Sequence, residues 1–251
     1  MRLFRRALPL TCLLAGAAHA GTLTLTRPAA LQKDVAAFPK IARPGDPAER
    51  RIDEALAVLD AAVPRAIREC RGLSNGPAAS GAYWSRSIAV TMAGPRFISF
   101  KVVDDTFCGG AHPNTGLWAV VYDLTTGRPV DWSRFLPPTL TGQVTLEPGM
   151  DNIRTVRLAS ARLHALYLAG YGATEQGSNP DCRDAVTQTP DSPPPSSVWL
   201  DAAKGGLAVQ FDVAHVAQAC ALPVVIPAAS LKAVGASPVL VDALIAAQGS
   251  R

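Results

Sequence analysis

Cysteine content is the feature that most limits how this chain can fold. The sequence has five cysteines, and Cys12 lies in an N-terminal stretch that we expect to be removed. The other four are Cys70, Cys108, Cys182 and Cys220. An even number of cysteines in an exported chain indicates two disulfides, which four cysteines can form in three ways. The sequence therefore predicts a fold stapled by two disulfides.

The first twenty residues have the three parts of a secretory signal peptide. Arg2, Arg5 and Arg6 supply positive charge, residues 7–17 form the apolar stretch, and Ala18-His19-Ala20 is a small-x-small cleavage pattern. The apolar stretch is shorter than the roughly 20 residues that span a bilayer. We therefore expect a signal peptide over 1–20, a periplasmic or secreted location, and no membrane span after cleavage.

Removal of the signal peptide leaves a chain that is almost neutral. The whole sequence has 24 basic and 20 acidic residues, and three of the basic residues lie in the signal peptide. Nucleic-acid-binding proteins typically carry a large basic excess on one face, so we expect no nucleic-acid partner. The length fits one large domain or two small ones, and we place a single domain at residues 45–251 after an N-terminal lead-in over 21–44.

Apolar periodicity predicts both helices and strands. Asp46-Pro47-Ala48-Glu49 combines an N-cap, a proline at the first helical position and a glutamate that can reach back, so a helix should start there. The apolar stripe of this helix ends at Cys70. Pro64 removes one helical hydrogen bond, so it should bend or split the helix. We expect a second helix from Asp151, with Ile153, Val156, Leu163 and Tyr167 at helical spacing, and a last helix over 237–247.

Alternating apolar residues predict strands in two groups. The expected strands are 87–92, 98–103 and 117–124 in the first group, and 198–200, 207–211 and 222–226 in the second. Gly205-Gly206 should form a hairpin turn, and 172–197 should be a solvated loop. We predict the disulfides Cys70–Cys108 and Cys182–Cys220, since each closes a loop of fewer than 40 residues in its own half of the chain.

The segment 104–114, DDTFCGGAHPN, holds the candidate site residues, which are Asp105, Gly109, Gly110, His112 and Asn114. Two glycines allow a sharp turn between two strands, and Asn114 can cap it. A histidine beside carboxylates can act as a base, recognise a ligand, or simply donate to the backbone of the turn. His112, His164 and His215 have no second ligand at zinc-site spacing, so we expect no metal, no other cofactor and no catalytic residue.

Aromatic residues offer a weaker candidate. The four tryptophans can stack on sugar rings or pack in the core, and their positions in or beside predicted strands favour the core; they are Trp84, Trp118, Trp132 and Trp199. Tyr167 and Tyr171 are one helical turn apart and should pack as well.

Three stretches of the chain resemble the RsiV-like domain, a domain of unknown function in bacterial envelope proteins. Gly109-Gly110-Ala111-His112 resembles its Gly-Gly-Ala-His signature, and 122–130 (YDLTTGRPV), followed by 132–136, resembles its strand and Thr-Gly turn. Residues 207–217 and 224–227 resemble its last strands, although the family usually has tyrosine where His215 stands.

This resemblance implies a fold class and a role. The fold implied is α+β, with a curled antiparallel β-sheet packed against helices. The role implied is an exported cell-envelope recognition module, non-catalytic, that binds an envelope protein such as lysozyme or a cell-wall glycan such as a peptidoglycan fragment. The alternative is an envelope hydrolase or peptidoglycan deacetylase that uses His112.

Overall fold

The computed structural model describes residues 23–73, 81–149, 151, 153–187, 193–211, 213 and 215–249, with only the backbone of residues 215 and 216. The expected signal peptide lies outside these residues. Within the described ranges, no helix is both long enough and apolar enough to cross a bilayer.

The longest helix, α1 (Pro47–Leu73), begins where the capping pattern predicts. The Asp46 carboxylate accepts hydrogen bonds from two N–H groups of the first turn, at 2.8 and 2.9 Å. The Glu49 carboxylate reaches back and accepts from the N–H of Gly45 at 2.5 Å. These reciprocal bonds satisfy donors that a helix start leaves open. The helix continues through Pro64, so of the two predicted effects of this proline, a bend or a split, the split does not occur.

The residues that precede α1 are packed against it. The N–H of Phe38 donates to both carboxylate oxygens of Asp60 at 3.2 Å, and the N–H of Ile41 donates to Asp53 at 3.0 Å. The side chains of Phe38 and Ile41 are buried. Two short strands here pair antiparallel; they are β1 (Leu25–Thr26) and β2 (Lys40–Ile41).

The first sheet has four antiparallel strands in the order β3-β4-β5-β6. Their bounds are β3 (Tyr83–Ala93), β4 (Phe97–Phe107), β5 (Asn114–Asp123) and β6 (Arg128–Pro129). The β4–β5 register pairs Thr106 with Asn114 and Asp104 with Gly116. The connecting turn is therefore centred on Gly110.

The second sheet has five strands in the order β11-β10-β9-β8-β7, and neighbouring strands are antiparallel. Their bounds are β7 (Gln143–Pro148), β8 (Arg154–Ala159), β9 (Ser196–Asp201), β10 (Gly206–Phe211) and β11 (Val224–Pro227). The remaining helices are α2 (Pro138–Thr141), α3 (Ala161–Tyr171), α4 (Glu175–Ser178), α5 (Pro180–Thr187), α6 (Ala228–Ala233) and α7 (Pro238–Gly249), with 3-10 helices at Trp132–Arg134 and His215–Cys220.

The first sheet lies between α1 and the second sheet. On one face, Phe100 and Trp118 pack against Phe38 in a cluster that includes the apolar stripe of α1. On the other face, Phe97 and Val121 join a larger cluster formed with the second sheet and the C-terminal helices. The α+β fold class is confirmed, and none of the sheets closes into a barrel.

Both disulfide predictions are confirmed. Cys70 at the end of α1 is bonded to Cys108 at the β4–β5 turn, and Cys182 in α5 is bonded to Cys220 in the second 3-10 helix. Each bond joins residues 38 positions apart in sequence.

Two secondary-structure predictions are wrong. Asp151 does not open a helix, since its carboxylate accepts from the N–H of Ile153 and the chain then enters strand β8. The helix starts later, at α3, where the Ser160 hydroxyl accepts from the N–H of Leu163. The stretch 172–197 is not simply a solvated loop, because it contains α4 and α5 with buried Cys182.

Candidate functional site

The turn after β4 presents the predicted site residues in different environments. Gly110, His112 and Asn114 are exposed on the turn, whereas Gly109 is partly covered and has a positive φ of 87°. Asp105 is half-buried on β4, and its carboxylate accepts from the Thr115 hydroxyl at 3.1 Å. The disulfide at Cys108 anchors the turn to α1.

Asp104, the other carboxylate of the segment 104–114, lies apart from the candidate residues Asp105 and His112. Consecutive strand residues point to opposite faces, so Asp104 and Asp105 lie on opposite sides of the sheet. Asp104 is 1% exposed and faces α1, while His112 is exposed on the turn. Within the described ranges, no group of three His, Cys, Asp or Glu side chains is arranged to hold a metal ion.

The Asp104 carboxylate instead belongs to a buried ionic network. It accepts from Arg86 Nε at 2.6 Å and Nη2 at 2.8 Å, and from the indole N–H groups of Trp84 and Trp118 at 2.9 Å each. Arg86 Nη2 also donates to Asp151 at 2.5 Å. The network therefore ties β3, β4 and β5 to the loop that precedes β8.

The network stabilises the charged form of Arg86. Burial acts to lower the pKa of Arg86, but hydrogen bonds and charge from Asp104 and Asp151 outweigh it, so its pKa lies above the ordinary value. A buried charge needs such partners because desolvation alone costs several kcal/mol. The Arg86–Asp104–Asp151 network is therefore structural.

A polar cleft of about 410 Å³ opens beside the first residues of β5. Its polar lining comes from β4, β5, β8, β10 and the second 3-10 helix, and consists of Lys101, Asp104, Asn114, Thr115, Arg157, Gln210 and Gln218. Leu117, Val213 and Pro223 are among its apolar lining residues. Of the predicted site residues, only Asn114 lines the cleft.

Hydrogen bonds fix much of the cleft wall. Arg157 donates through Nη1 to the Ser197 hydroxyl and through Nη2 to the carbonyl of Leu117 at 3.2 Å. Gln218 donates through Nε2 to the carbonyl of Thr115. Two backbone carbonyls of β5 therefore accept hydrogen bonds from side chains in the cleft wall.

Gln210 supplies an uncompensated acceptor to the cleft. Its side chain is 8% exposed, and its Oε1 has no hydrogen-bond partner among the described residues. A buried polar atom that lacks a partner costs about 1–3 kcal/mol, so such atoms are rare in folded proteins. A ligand N–H or O–H group in the cleft would satisfy it. The sequence pattern did not single out Gln210, because it lies in a strand, β10, whose residues are all buried.

The other aromatic candidates lie in the interior. All four tryptophans are buried, which confirms their predicted packing. The hydroxyls of Tyr167 and Tyr171 donate to the carbonyls of Leu222 and Cys220 at 2.9 and 3.0 Å. Burial raises the pKa of both tyrosines. Asp212 and the side chain of His215, within the stretch that resembles the RsiV-like domain, lie outside the described residues.

The two turn glycines should respond differently to substitution. Gly109→Ala should lower the free energy of unfolding by about 1 kcal/mol, because its positive φ is unfavourable for any residue with a Cβ. Gly110→Ala is the matched control and should change it little, since a Cβ there meets nothing within 4 Å. Urea denaturation of both variants measures the difference, and equal losses would contradict this account of the turn.

Comparison with known proteins finds a modest structural likeness among solved structures. No protein-family model and no curated protein matches the chain. Among solved structures, the chain is similar to a crystal structure of a DUF3298 family protein, PA4972, from Pseudomonas aeruginosa PAO1, with 15% identity and a TM-score of 0.41. The match covers 64% of each chain, so it spans less than two thirds of that protein. The structural neighbour therefore belongs to a family of unknown function, and the resemblance to the RsiV-like domain stays a prediction.

Proposed function

We propose that this chain is an exported cell-envelope recognition module, organised as one domain, and that the polar cleft is its ligand site. The signal-peptide pattern supports export, and two disulfides fit an oxidising compartment. The observation that carries the binding role is the buried Gln210 Oε1, which faces a cleft of ligand size without a hydrogen-bond partner among the described residues.

The cleft chemistry suits a ligand that has both hydrogen-bond donors and an anionic group. Gln210 offers an acceptor, while Lys101 and Arg157 add two cationic side chains to the cleft lining. A peptidoglycan fragment carries amide N–H groups, hydroxyls and carboxylates. We therefore favour a peptidoglycan fragment as the ligand of the cleft.

An envelope protein such as lysozyme would use a neighbouring surface. The exposed turn residues Gly110 and His112 stand beside the cleft, and Asn114 belongs to both surfaces. The disulfide at Cys108 restrains this turn, which reduces the entropy lost when a partner orders it. Protein and glycan partners would thus approach the same end of the β4–β5 hairpin.

Binding is a better account of the cleft than hydrolysis or deacetylation. Asp104 is the one acidic residue among its described lining residues, and its carboxylate accepts four hydrogen bonds on the α1 side of the sheet. His112 does not line the cleft. The described lining residues therefore offer anchoring groups without an available carboxylate base.

Replacing Gln210 separates binding from stability. Gln210→Leu should weaken binding of a disaccharide-peptide muropeptide about tenfold, a loss on the scale of one hydrogen bond. The free energy of unfolding should stay within about 1 kcal/mol of the wild-type value or rise, because the buried acceptor is removed. Calorimetric titration and urea denaturation measure the two effects.

Two further variants give the controls. Gln143→Leu changes an exposed glutamine on β7 outside the cleft lining, and should leave muropeptide affinity unchanged. Gly110→Val should fold, and should weaken lysozyme binding if that protein contacts the turn. Equal muropeptide affinity in wild type and Gln210→Leu would remove the cleft assignment. Release of cleaved glycan or of acetate by the wild type would replace the binding role with the enzyme alternative.

A further inference from the structure

A second cleft, of about 430 Å³, lies at the opposite end of β5 and concentrates positive charge. Three arginines from three different elements line it: Arg51 from α1, Arg128 from β6 and Arg134 from the first 3-10 helix. All three are exposed. We call this site the arginine cleft.

The two carboxylates of the arginine cleft are already engaged elsewhere. Asp123 accepts from Arg96 Nη2 at 2.7 Å, and from the N–H and hydroxyl of Thr125 at 2.8 and 2.7 Å. Asp131 accepts from the N–H and hydroxyl of Ser133 at 3.1 and 2.6 Å, which caps the short helix. Asp123 is therefore held in an ion pair with Arg96, and Asp131 Oδ1 is held in the cap of the short helix.

The three arginines themselves have no acidic partner among the described residues. No ion pair within 4.0 Å joins Arg51, Arg128 or Arg134 to a carboxylate in that part of the chain. Arg51 Nη1 donates to the carbonyl of Thr126 at 2.6 Å, which orients the guanidinium. The other guanidinium N–H groups can serve an incoming anion.

The backbone turn next to Arg128 packs closely against the start of α1. Gly127 in the β5–β6 turn has a φ of 67°, and a Cβ there would lie 2.4 Å from the carbonyl oxygen of Ala48. The turn therefore packs directly against the first turn of α1, and this contact sets the relative position of Arg51 and Arg128. A site with a fixed backbone loses less entropy on binding than a loose one.

We propose that the arginine cleft binds a phosphate group. Guanidinium groups recognise oxyanions through paired, charge-assisted hydrogen bonds, and phosphate offers more acceptor oxygens and more charge than a carboxylate. Three guanidiniums carried by three separate elements suit a phosphate, which offers more oxygens than a carboxylate. The phosphate can belong to a soluble phosphorylated sugar or to a lipid headgroup, and the test separates these sources. The site is independent of the polar cleft.

Titration of the mature chain at low salt tests this proposal. The probes are glucose 6-phosphate, inorganic phosphate, and vesicles of phosphatidylcholine with or without phosphatidic acid. Arg128→Gln/Arg134→Gln should bind the recognised phosphate probe about tenfold or more weakly than wild type. Arg162→Gln/Arg183→Gln removes the same charge from two exposed positions outside the cleft, and should bind within about twofold of wild type.

The pattern of results identifies the phosphate source. Saturable binding of glucose 6-phosphate without vesicle binding assigns a soluble ligand, whereas binding only to phosphatidic acid vesicles assigns a headgroup. Raising the salt concentration should weaken either interaction, because exposed charges are screened. Absence of binding to every probe, or equal losses in both double variants, overturns the proposal. Arg134→Gln alone repeats the test if the double variant is not folded by circular dichroism.

Discussion

Replacing Asp104 with alanine should lower the free energy of unfolding by about 3–5 kcal/mol. The change leaves Arg86 buried with Asp151 as its remaining acidic partner, and leaves the indole N–H groups of Trp84 and Trp118 without their acceptor. Breaking one side of a buried ion pair is costly because the other charge stays desolvated. Urea denaturation monitored by tryptophan fluorescence measures the loss.

Asp105→Ala is the matched control, one residue along the same strand. Its carboxylate is half-buried and accepts one hydrogen bond, from the Thr115 hydroxyl. The expected loss is about 1 kcal/mol or less. Similar losses for Asp104 and Asp105 would show that the Arg86–Asp104–Asp151 network contributes less than its burial indicates. A third variant, Asp104→Asn, keeps the side-chain shape and should fall between wild type and Asp104→Ala.

Removing the Cys182–Cys220 disulfide, as Cys182→Ala/Cys220→Ala, should lower the free energy of unfolding by about 4 kcal/mol. This value follows from the entropy that a closed loop removes from the unfolded chain, for a sequence separation of 38. The Cys70–Cys108 bond closes a loop of the same separation, so Cys70→Ala/Cys108→Ala should cost about the same.

The two disulfides should nevertheless differ in their effect on ligand binding. Cys220 ends the 3-10 helix that supplies Gln218 to the polar cleft, and Ala221 lines the cleft directly. Loss of the Cys182–Cys220 bond should therefore weaken muropeptide binding in protein that is still folded. Loss of the Cys70–Cys108 bond should loosen the turn and affect a protein partner more. Equal stability of the double-alanine variants and the oxidised wild type would contradict the chain-entropy account.

The sequence correctly predicted those features that depend on a few neighbouring residues. The Asp46 to Glu49 motif located the start of α1 because capping involves neighbours within one turn. Disulfide pairing was predictable because each bond joins cysteines in the same half of the chain. The segment at Asp151 misled the prediction, since a side-chain bond to the N–H two residues on resembles a helix cap but here precedes a strand.

The structural role of Asp104 could have been predicted from the sequence. Ile98, Phe100 and Val102 alternate inward on β4, and Asp104 continues the same parity. A carboxylate in that position requires a buried partner, and Arg86 is its neighbour across the β3–β4 pair. The polar cleft could not be predicted from the sequence, because its walls come from six elements that are brought together only by the packing of one sheet on the other.

The native disulfides join cysteines that are consecutive in the sequence, and their two loops do not overlap. A chain that enters an oxidising compartment N-terminus first presents Cys70 and Cys108 before the second pair emerges. An oxidase that joins thiols in the order of their arrival then forms the native bonds directly. No wrong pair has to be reshuffled, a process that takes seconds to hours. For a chain exported as proposed, oxidation in the order of emergence would therefore give both native bonds without a disulfide isomerase.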